Sequence, residues 1–557
     1  MYVLIEGERY DLDVLNHIFS DKSFFDTEGT INSVGYYHSF DNNTLVFMLP
    51  KVFMKDKYQT VFNMNSLDLS NVFVNKSIKH NEEHRWIRVL SFYFYKSLIE
   101  YKKRNPKSTI VYNSETFELK KNKRLKSYSY LDLVNSFVQF YKQNKNYFIH
   151  KKIEFISSSS KNTNWNKTIR KSNPIHTKGN DPIYIQLVNK KKIINYEEEL
   201  VSYFMSILYH FDKEYILNIK VDKEYKLIKG EAFKALCKNG LTKLRKIKFR
   251  YFSDTNKRIY DLCEIFFSKY DKSSVKRKKE DFLTVKSYNI VFENMVDKLL
   301  SDDENYLIDN KTIKQLKSND DGKIIDHMYA DQSLLDDSKI FYIGDAKYYR
   351  SDNKAGRLSI YKQFTYAKNI IQLNINNLNK YNAKKVKPFV YREDCTNGYN
   401  ISPNYFLFGF IPEANNYNDP FISKIGKTLK AYHFDDRLFD RDSLFVQQYK
   451  INYLFVLKAY VENNSSKINE FKSNVKSRIR NNFINYFNDV QQSKYTFYKF
   501  SNAEIDKKEF IISNFYILNG KVYITTNNNL ILALKNGDTT IDHLIDNFQL
   551  IKFQDIT

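Results

Sequence analysis

The sequence predicts a mixed α/β protein, chiefly from the order of helical and strand-like segments in its third quarter. Two segments place apolar residues at helical spacing, and three short apolar runs have the length of strands. In chain order they read helix, strand, strand, helix and strand: SYNIVFENMVDKLLSD (287–302), KIIDHMY (323–329), KIFYIGDAKYY (339–349), LSIYKQFTYAKNIIQL (358–373) and NYFLFGFIP (404–412). This alternation indicates an α/β arrangement.

The segments on either side of this core mix β and α patterns. Before the core, the sequence predicts a hairpin over 34–53, helices over 82–102, 129–147, 196–212 and 231–270, and a polar loop over 157–182. After it, a helical stretch is predicted over 448–490 and a β-patterned segment over 509–535. We therefore expect four domains: an N-terminal β/α module (1–125), a mostly helical middle domain (126–284), the α/β core (285–440) and a helical and β C-terminal extension (441–557).

The composition is that of a large, basic protein. With 557 residues, 42% of them hydrophobic and 16% aromatic, the chain can bury a sizeable core, which excludes disorder over its whole length. The net charge of +24 suggests a polyanionic partner, most simply nucleic acid, and the alternative is the lysine-rich composition typical of an AT-rich genome. Neither a signal peptide nor a membrane span is predicted, so we expect a cytoplasmic protein with no membrane partner.

Three cysteines are too few and too far apart to build a structural framework. Cys237, Cys263 and Cys395 exclude a disulfide scaffold and a cysteine-based zinc site. They fit a reducing compartment.

The residues that carry chemistry lie at the end of the second predicted strand of the core. Asp345 and Lys347 are two residues apart, so on a strand their side chains point to the same face. Asp326 ends the preceding apolar run and would supply a second carboxylate from a neighbouring strand. Carboxylates that hold Mg²⁺, beside a lysine that orients a water, are the parts needed to hydrolyse a phosphodiester. On spacing alone, a surface ion pair between Asp345 and Lys347 remains the alternative.

Two helical residues extend this group. Glu293 lies in the helix before the first strand, where it could face the metal or orient its water. Gln363 lies in the helix after Lys347, where it could reach a substrate phosphate or support the site. For each of them a solvated helix face is the alternative.

The order of these elements is that of the PD-(D/E)xK nuclease pattern, and further blocks resemble one family over roughly residues 30 to 460. The chain resembles the LlaJI-type restriction endonucleases and their relatives, the McrC-type nuclease subunits. The blocks that carry the resemblance are VGYYHS (34–39), LVFMLPKVF (45–53), NWNKTI (164–169), PIYIQL (182–187), NIVFENMV (289–296), IID ending at Asp326, FYIGDAKYY (341–349), IYKQFTY (360–366), FLFGFIP (406–412) and SKIGKTL (423–429).

The resemblance implies a PD-(D/E)xK restriction-endonuclease-like core and an endonuclease of a restriction system, active in anti-phage defence. Such an enzyme cuts double-stranded DNA with Mg²⁺, for which Mn²⁺ can substitute. By the family pattern Asp326, Asp345 and Lys347 are catalytic, with Glu293 and Gln363 assisting. The same pattern makes Asp326, Asp345 and Glu293 the metal ligands.

The resemblance also implies partners. Family members work with a GTP-hydrolysing AAA+ subunit of the McrB type, onto which the N-terminal module would dock. A double-strand break needs two such cores, hence a homodimer or two assembled complexes.

The NWNKTI block suggests that Trp165 is a structural anchor. One departure concerns the first acid: the family prefers proline before it, whereas Ile325 precedes Asp326, and Asp331 is a competing candidate.

Other function classes fit less well. Gly426-Lys427-Thr428 resembles part of a nucleotide-binding loop, but Phe421 stands where that loop needs glycine, so an NTPase is excluded. The segment SPNYF (402–406) lacks the second proline of the methyltransferase motif SPPY, and no glycine-rich cofactor loop accompanies it. Two alternatives stay open: a non-catalytic DNA-binding or motor-activating subunit, and an RNA-directed nuclease.

Overall fold

The structure is a computed structural model, and it confirms the mixed α/β fold class. It describes residues 2–39, 44–71, 82–113, 117–119, 126–128, 130–144, 148, 151–157, 163–215, 219, 221, 224–268, 280–302, 325–349, 355–380, 398–412 and 416–556. Within these ranges no helix is both long and apolar enough to cross a lipid bilayer. Residue 395, one of the three cysteines, lies outside them.

The N-terminal sheet has five strands, one of which comes from much further along the chain. The elements up to residue 113 are β1 (Tyr2–Ile5), α1 (Leu12–Ile18), β2 (Val34–Ser39), β3 (Thr44–Leu49), α2 (Ser66–Asn71), α3 (Glu82–Arg104) and β4 (Val111–Asn113). The strand order is β1-β3-β2-β11-β4, where β11 is Glu280–Val285 and the pair β1–β3 is parallel. The predicted hairpin is confirmed as β2 and β3. The four-domain division stays a prediction, and β11 joins this sheet across the middle region.

The middle region is mostly helical, with short strand pairs. Its elements are β5 (Phe117–Leu119), β6 (Lys126–Tyr128), α4 (Tyr130–Gln143), β7 (Lys151–Ser157), α5 (Trp165–Lys171), β8 (Ile175–His176), β9 (Pro182–Ile183), β10 (Val188–Ile194), α6 (Glu199–Tyr215), α7 (Gly230–Ile247) and α8 (Asp254–Ser268). The single helical stretch predicted over 231–270 is wrong, because it breaks at residues 248–253. Ser253 Oγ accepts the Asn256 N–H at 3.2 Å and starts the second helix.

The loop predicted over 157–182 is wrong in part, because its described residues include the end of β7, helix α5, strand β8 and the start of β9, whereas 158–162 lie outside the described residues. Asn164 caps α5 by accepting the Lys167 N–H at 3.3 Å, which a polar composition alone does not reveal. Trp165, at the start of α5, is 57% exposed and contacts the ring of Tyr184 edge-on. It is therefore not a buried anchor.

The central sheet carries the predicted chemical residues. Its strands are β12 (His327–Gln332), β13 (Lys339–Lys347), β14 (Pro403–Phe410), β15 (Ile422–Ala431) and β16 (Leu444–Asn452), and its helices are α9 (Tyr288–Leu300) and α10 (Arg357–Lys380). The strand order is β12-β13-β14-β16-β15, with β13, β14 and β16 parallel and both edge strands antiparallel. Helix α9 packs on β12 and β13, and α10 on β13 and β16. The Gly-Lys-Thr segment at 426–428 lies within the edge strand β15 and not between a strand and a helix.

The C-terminal region has its own antiparallel sheet, in the order β18-β19-β17-β20. The elements after the central sheet are α11 (Tyr453–Glu462), α12 (Ser465–Asn488), α13 (Val490–Ser493), β17 (Tyr495–Phe500), α14 (Lys507–Ser513), α15 (Phe515–Leu518), β18 (Val522–Ile524), β19 (Leu530–Lys535) and β20 (Phe548–Ile551). The helix predicted from 448 is wrong at its start, because β16 continues to Asn452, whose side chain then caps α11. The β-patterned segment predicted over 509–535 is wrong at its start, where the structure has the short helices α14 and α15. Asp506 caps the first of them.

The C-terminal sheet bonds to the turn between β12 and β13. Tyr523 Oη in β18 donates to Asp336 Oδ2 in that turn at 2.8 Å, and Asn400 Nδ2 donates to Tyr523 Oη at 3.1 Å. All three side chains are buried. The extension therefore supports the hairpin that carries the predicted acids.

Candidate active site

Asp326, directly before β12, and Asp345, in β13, stand beside each other at one end of the β12–β13 ladder. The ladder's last pair is His327 opposite Gly344. Continued by one position, the same register places Asp326 opposite Asp345. The Ala346 N–H donates to Asp326 Oδ2 at 3.1 Å, which ties the first acid to the strand that carries the second. Two carboxylates are thus held side by side.

Lys347 completes the cluster from the same face of β13 as Asp345. Its Nζ forms an ion pair with Asp345 Oδ2 and lies 5.5 Å from the centroid of the Phe406 ring in β14. Burial alone would lower the pKa of Lys347, but the negative charge of Asp345 and its hydrogen bond outweigh burial and raise that pKa. Lys347 is therefore a positively charged donor at neutral pH.

Glu293, in α9, is close enough to Asp345 and Lys347 to interact electrostatically with both. Burial is the main cause that raises the pKa of Glu293 to about 7, and the negative charge of Asp345 adds to it. A hydrogen bond from Asn289 Nδ2 to Glu293 Oε1, at 3.3 Å, and the charge of Lys347 act in the opposite direction. The helix thus contributes a third carboxyl group to the same electrostatic neighbourhood.

Asp326 is affected both by burial and by the neighbouring negative charges. Burial raises the pKa of Asp326 well above its usual range, and the hydrogen bond with Asp345 and the charges of Asp345 and Glu293 raise it further. The positive charge of Lys347 lowers it, but only in part. Such clustering of perturbed carboxyl groups is typical of functional sites.

The acids fit a divalent cation as a pair. Among the residues that the structure describes, no three His, Cys, Asp or Glu side chains are close enough together to hold a metal ion. Mg²⁺ commonly binds one or two protein carboxylates and completes its shell with waters and substrate phosphates. Asp326 and Asp345 match that requirement, because a partly buried and a buried carboxylate side by side repel each other and a cation offsets the repulsion. Glu293 as a further ligand stays a prediction.

Gln363, in α10, forms a hydrogen bond with the backbone of β13. Its side chain is 1% exposed, and its Nε2 donates to the carbonyl oxygen of Ile343 at 3.1 Å. The amide donor is therefore used on the backbone of β13, two residues before Asp345. This placement favours a supporting position over contact with a substrate phosphate.

Asp331, the competing acid, lies away from the cluster. It pairs with Ile340, five positions from Asp345 along β13, which corresponds to about 17 Å. Because five is an odd number, Asp331 and Asp345 point to opposite faces of the sheet. Asp331 Oδ1 accepts the adjacent Gln332 N–H at 2.8 Å. The geometry therefore brings Asp326, and not Asp331, to Asp345.

Tyr348 links the end of β13 to the N-terminal sheet, a role that the sequence does not signal. Its Oη donates to a carboxylate oxygen of Glu6 and accepts the Lys51 N–H at 3.1 Å. Its ring packs against Tyr288 of α9, with centroids 5.5 Å apart. The residue directly after Lys347 is thereby held by two other elements.

Gly344 makes room for a tyrosine on the neighbouring strand. A Cβ atom at Gly344 would lie 2.2 Å from the Tyr405 ring, far inside van der Waals contact. Tyr405 is fully buried. The glycine before Asp345 is therefore a packing requirement of this sheet.

Comparisons with known proteins add a distant structural likeness. No protein-family model matches this chain, and no curated protein does. A solved structure similar to this chain is the half-complex from the tetradecameric assembly of Thermococcus gammatolerans McrB AAA+ hexamers with bound McrC, at 12% identity and a TM-score of 0.25. The similarity covers 83% of this chain and 98% of that chain. The LlaJI-type resemblance stays a prediction.

Proposed function

We propose that this protein is a Mg²⁺-dependent endonuclease that hydrolyses phosphodiester bonds in double-stranded DNA. The observation that carries the proposal is the cluster at the end of β12 and β13, where Asp326 stands opposite Asp345 and Lys347 pairs with Asp345. A carboxylate pair beside a charged lysine is the set of groups that metal-assisted phosphodiester hydrolysis requires.

Each residue has a part that follows from its position. Asp326 and Asp345 would hold Mg²⁺, which when bound offsets the charge that develops on the phosphate. Lys347, charged at neutral pH, donates to the attacking water or to a phosphate oxygen and is not the base. Glu293, which senses both Asp345 and Lys347, orients the water from the side of α9.

The substrate and partners follow from the family resemblance of the sequence blocks. That resemblance favours DNA over RNA, and the net charge of +24 fits either polyanion. It also supports a role in restriction and anti-phage defence, beside a GTP-hydrolysing AAA+ subunit of the McrB type. The N-terminal module would dock onto that subunit, and a double-strand break would require a homodimer or two assembled complexes.

The test is cleavage of plasmid DNA and of single-stranded RNA by the purified full chain, with Mg²⁺ or with EDTA. Each reaction is run with and without the AAA+ subunit and GTP. We expect Mg²⁺-dependent DNA cleavage that Asp345→Ala and Lys347→Ala both abolish. Matched controls are Asp435→Ala and Lys535→Ala, which break an Asp–Lys ion pair between the β15–β16 connection and β19 and should cut normally.

Three outcomes would overturn parts of the proposal. Cleavage of RNA alone would keep the site and change the substrate. Equal cleavage by wild type and by both site variants would remove the catalytic assignment. Binding of DNA without cleavage under any condition would favour a non-catalytic subunit.

A further inference from the structure

The turn between α7 and α8 presents two phenylalanines to solvent. Phe249 is 81% exposed and Phe252 is 79% exposed, more than any other phenylalanine in the described ranges. They lie within the short turn over residues 248–253, at the tip of a helical hairpin. Two aromatic side chains exposed on one short turn form an apolar patch, and exposed apolar patches can mark interaction sites.

The tip is fixed to the body of the protein by the residues between the two phenylalanines. Tyr251 is buried, and its Oη donates to Glu198. Arg250 Nη1 donates to Glu199 Oε2 at 2.8 Å. Both acids lie at the start of α6. Because Tyr251 and Arg250 are held in this way, Phe249 and Phe252 are held outward on a supported turn.

The surroundings of the tip are strongly basic. Four exposed cations precede or adjoin Phe249 on the last turns of α7 and in the turn itself, namely Lys243, Arg245, Lys246 and Lys248. The acids that contact or adjoin the tip already have partners, since Glu198 and Glu199 bond to Tyr251 and Arg250, and Asp254 pairs with Lys257 at 3.5 Å. The excess positive charge calls for a polyanionic occupant.

A nucleic acid duplex satisfies both features of this surface. Its phosphates match the cations, and proteins that bend DNA insert apolar side chains such as phenylalanine between base pairs. We propose that the α7–α8 tip binds double-stranded DNA, with Phe249 and Phe252 inserted at a base step and the flanking lysines and arginine on the phosphates. The proposal rests on the proposed function in taking DNA as the substrate, and it assigns a second contact surface outside the cleavage site.

The test measures binding of the full chain to a duplex oligonucleotide in EDTA, over a range of salt concentrations. We expect Phe249→Ala/Phe252→Ala to weaken binding by about tenfold or more and to keep the salt dependence. Lys246→Ala/Lys248→Ala should instead reduce the slope of log affinity against log salt by about one per lost phosphate contact. The control is Tyr516→Ala, which removes an exposed aromatic ring from the C-terminal region. The fluorescence of a duplex that carries 2-aminopurine should increase on binding of wild type, because the base is unstacked, and should not increase with the phenylalanine double variant.

Three results would overturn the proposal: binding of the phenylalanine variant within about twofold of wild type, a loss of binding confined to single-stranded oligonucleotides, or phenylalanine-dependent capture of phosphatidylserine vesicles with duplex binding unchanged. Because EDTA prevents metal-dependent cleavage, the outcome is separate from that of the nuclease assay. A protein that binds duplex through the tip and never cuts would contradict only the proposed function.

Discussion

Asp326 and Asp345 face each other one position beyond the last pair of the β12–β13 ladder, and the Ala346 N–H holds Asp326 in place. The arrangement is electrostatically unfavourable, because burial and the neighbouring carboxylates raise the pKa of Asp326 well above its usual range. Pairs of carboxyl groups with perturbed pKa values are typical of functional sites. Stability and metal binding should therefore be coupled at this position.

Asp326→Asn should stabilise the protein without metal and make it insensitive to Mg²⁺. Removing one of two adjacent carboxylates relieves repulsion, and an Asn Oδ1 can still accept the Ala346 N–H. We expect the free energy of unfolding in EDTA to rise by about 1 kcal/mol or more. Thermal unfolding with and without Mg²⁺ checks this, since Mg²⁺ should raise the Tm of wild type only. An equal Mg²⁺ shift in both proteins would show that Asp326 is not a ligand.

Gly344→Ala should destabilise the protein through the Tyr405 ring. The added methyl group would overlap the ring, and overpacking of this kind costs about 1–3 kcal/mol. Gly356→Ala is the matched control, because nothing lies within 4 Å of a Cβ there. Urea unfolding of the two variants measures the difference, and equal stability would mean that Tyr405 can move aside at little cost.

Tyr348→Phe should weaken the link between the N-terminal sheet and the end of β13. The substitution removes the Tyr348 Oη from the Glu6 carboxylate and the Lys51 N–H, which keep their bond to each other at 3.3 Å, and the lost bonds cost about 1–3 kcal/mol. A double-mutant cycle with Glu6→Gln, followed by chemical unfolding, checks the pairing. Additive effects of the two changes would show that Glu6 and Tyr348 do not act together.

Protonation of Asp302 at acid pH should lower the free energy of unfolding of the protein. Burial alone would raise the pKa of Asp302, but hydrogen bonds from Lys472 and Lys476, at 2.8 and 2.9 Å, and from the Ala330 N–H outweigh it and lower that pKa. Because the pKa of Asp302 is lower in the folded state than in the unfolded state, its ionised carboxylate adds to the free energy of unfolding. This contribution is fully present above the pKa of Asp302 in the unfolded state, near 4, and is lost as the pH falls through its pKa in the folded state.

Unfolding of wild type and Asp302→Asn between pH 3 and 7 tests this contribution. The difference in unfolding free energy should be largest at pH 7 and should shrink below about pH 4. A difference that is constant with pH would contradict the assignment.

The core elements were predictable because their signals are local. Helix α9 and strands β13 and β14 follow from apolar spacing over short windows, and the strand pattern puts Asp345 and Lys347 on one face without any knowledge of the fold. The strand predicted over 323–329 is right only in part, because β12 begins at His327 and Asp326 lies directly before it. Edge strand β15 was not predicted, because its partly exposed Ser, Lys, Gly and Thr residues carry no strong apolar alternation.

The long-range parts of the site were not predictable. The choice between Asp326 and Asp331 depends on the register of β12 against β13, which the turn between them sets. The contact of Tyr348 with Glu6 joins two elements that are 342 residues apart along the chain, and no local spacing rule predicts it. The sequence predicts Gln363 as a site residue, but its bond to the Ile343 carbonyl depends on how α10 packs against β13.

Cleavage of plasmid DNA by Asp326→Asn and by Asp331→Asn, in Mg²⁺, tests the central claim most directly. The two substitutions are chemically identical and five residues apart, but only Asp326 stands opposite Asp345. We predict that Asp326→Asn abolishes cleavage and that Asp331→Asn cuts like wild type. Loss of cleavage in Asp331→Asn, with activity retained in Asp326→Asn, would contradict the assigned site.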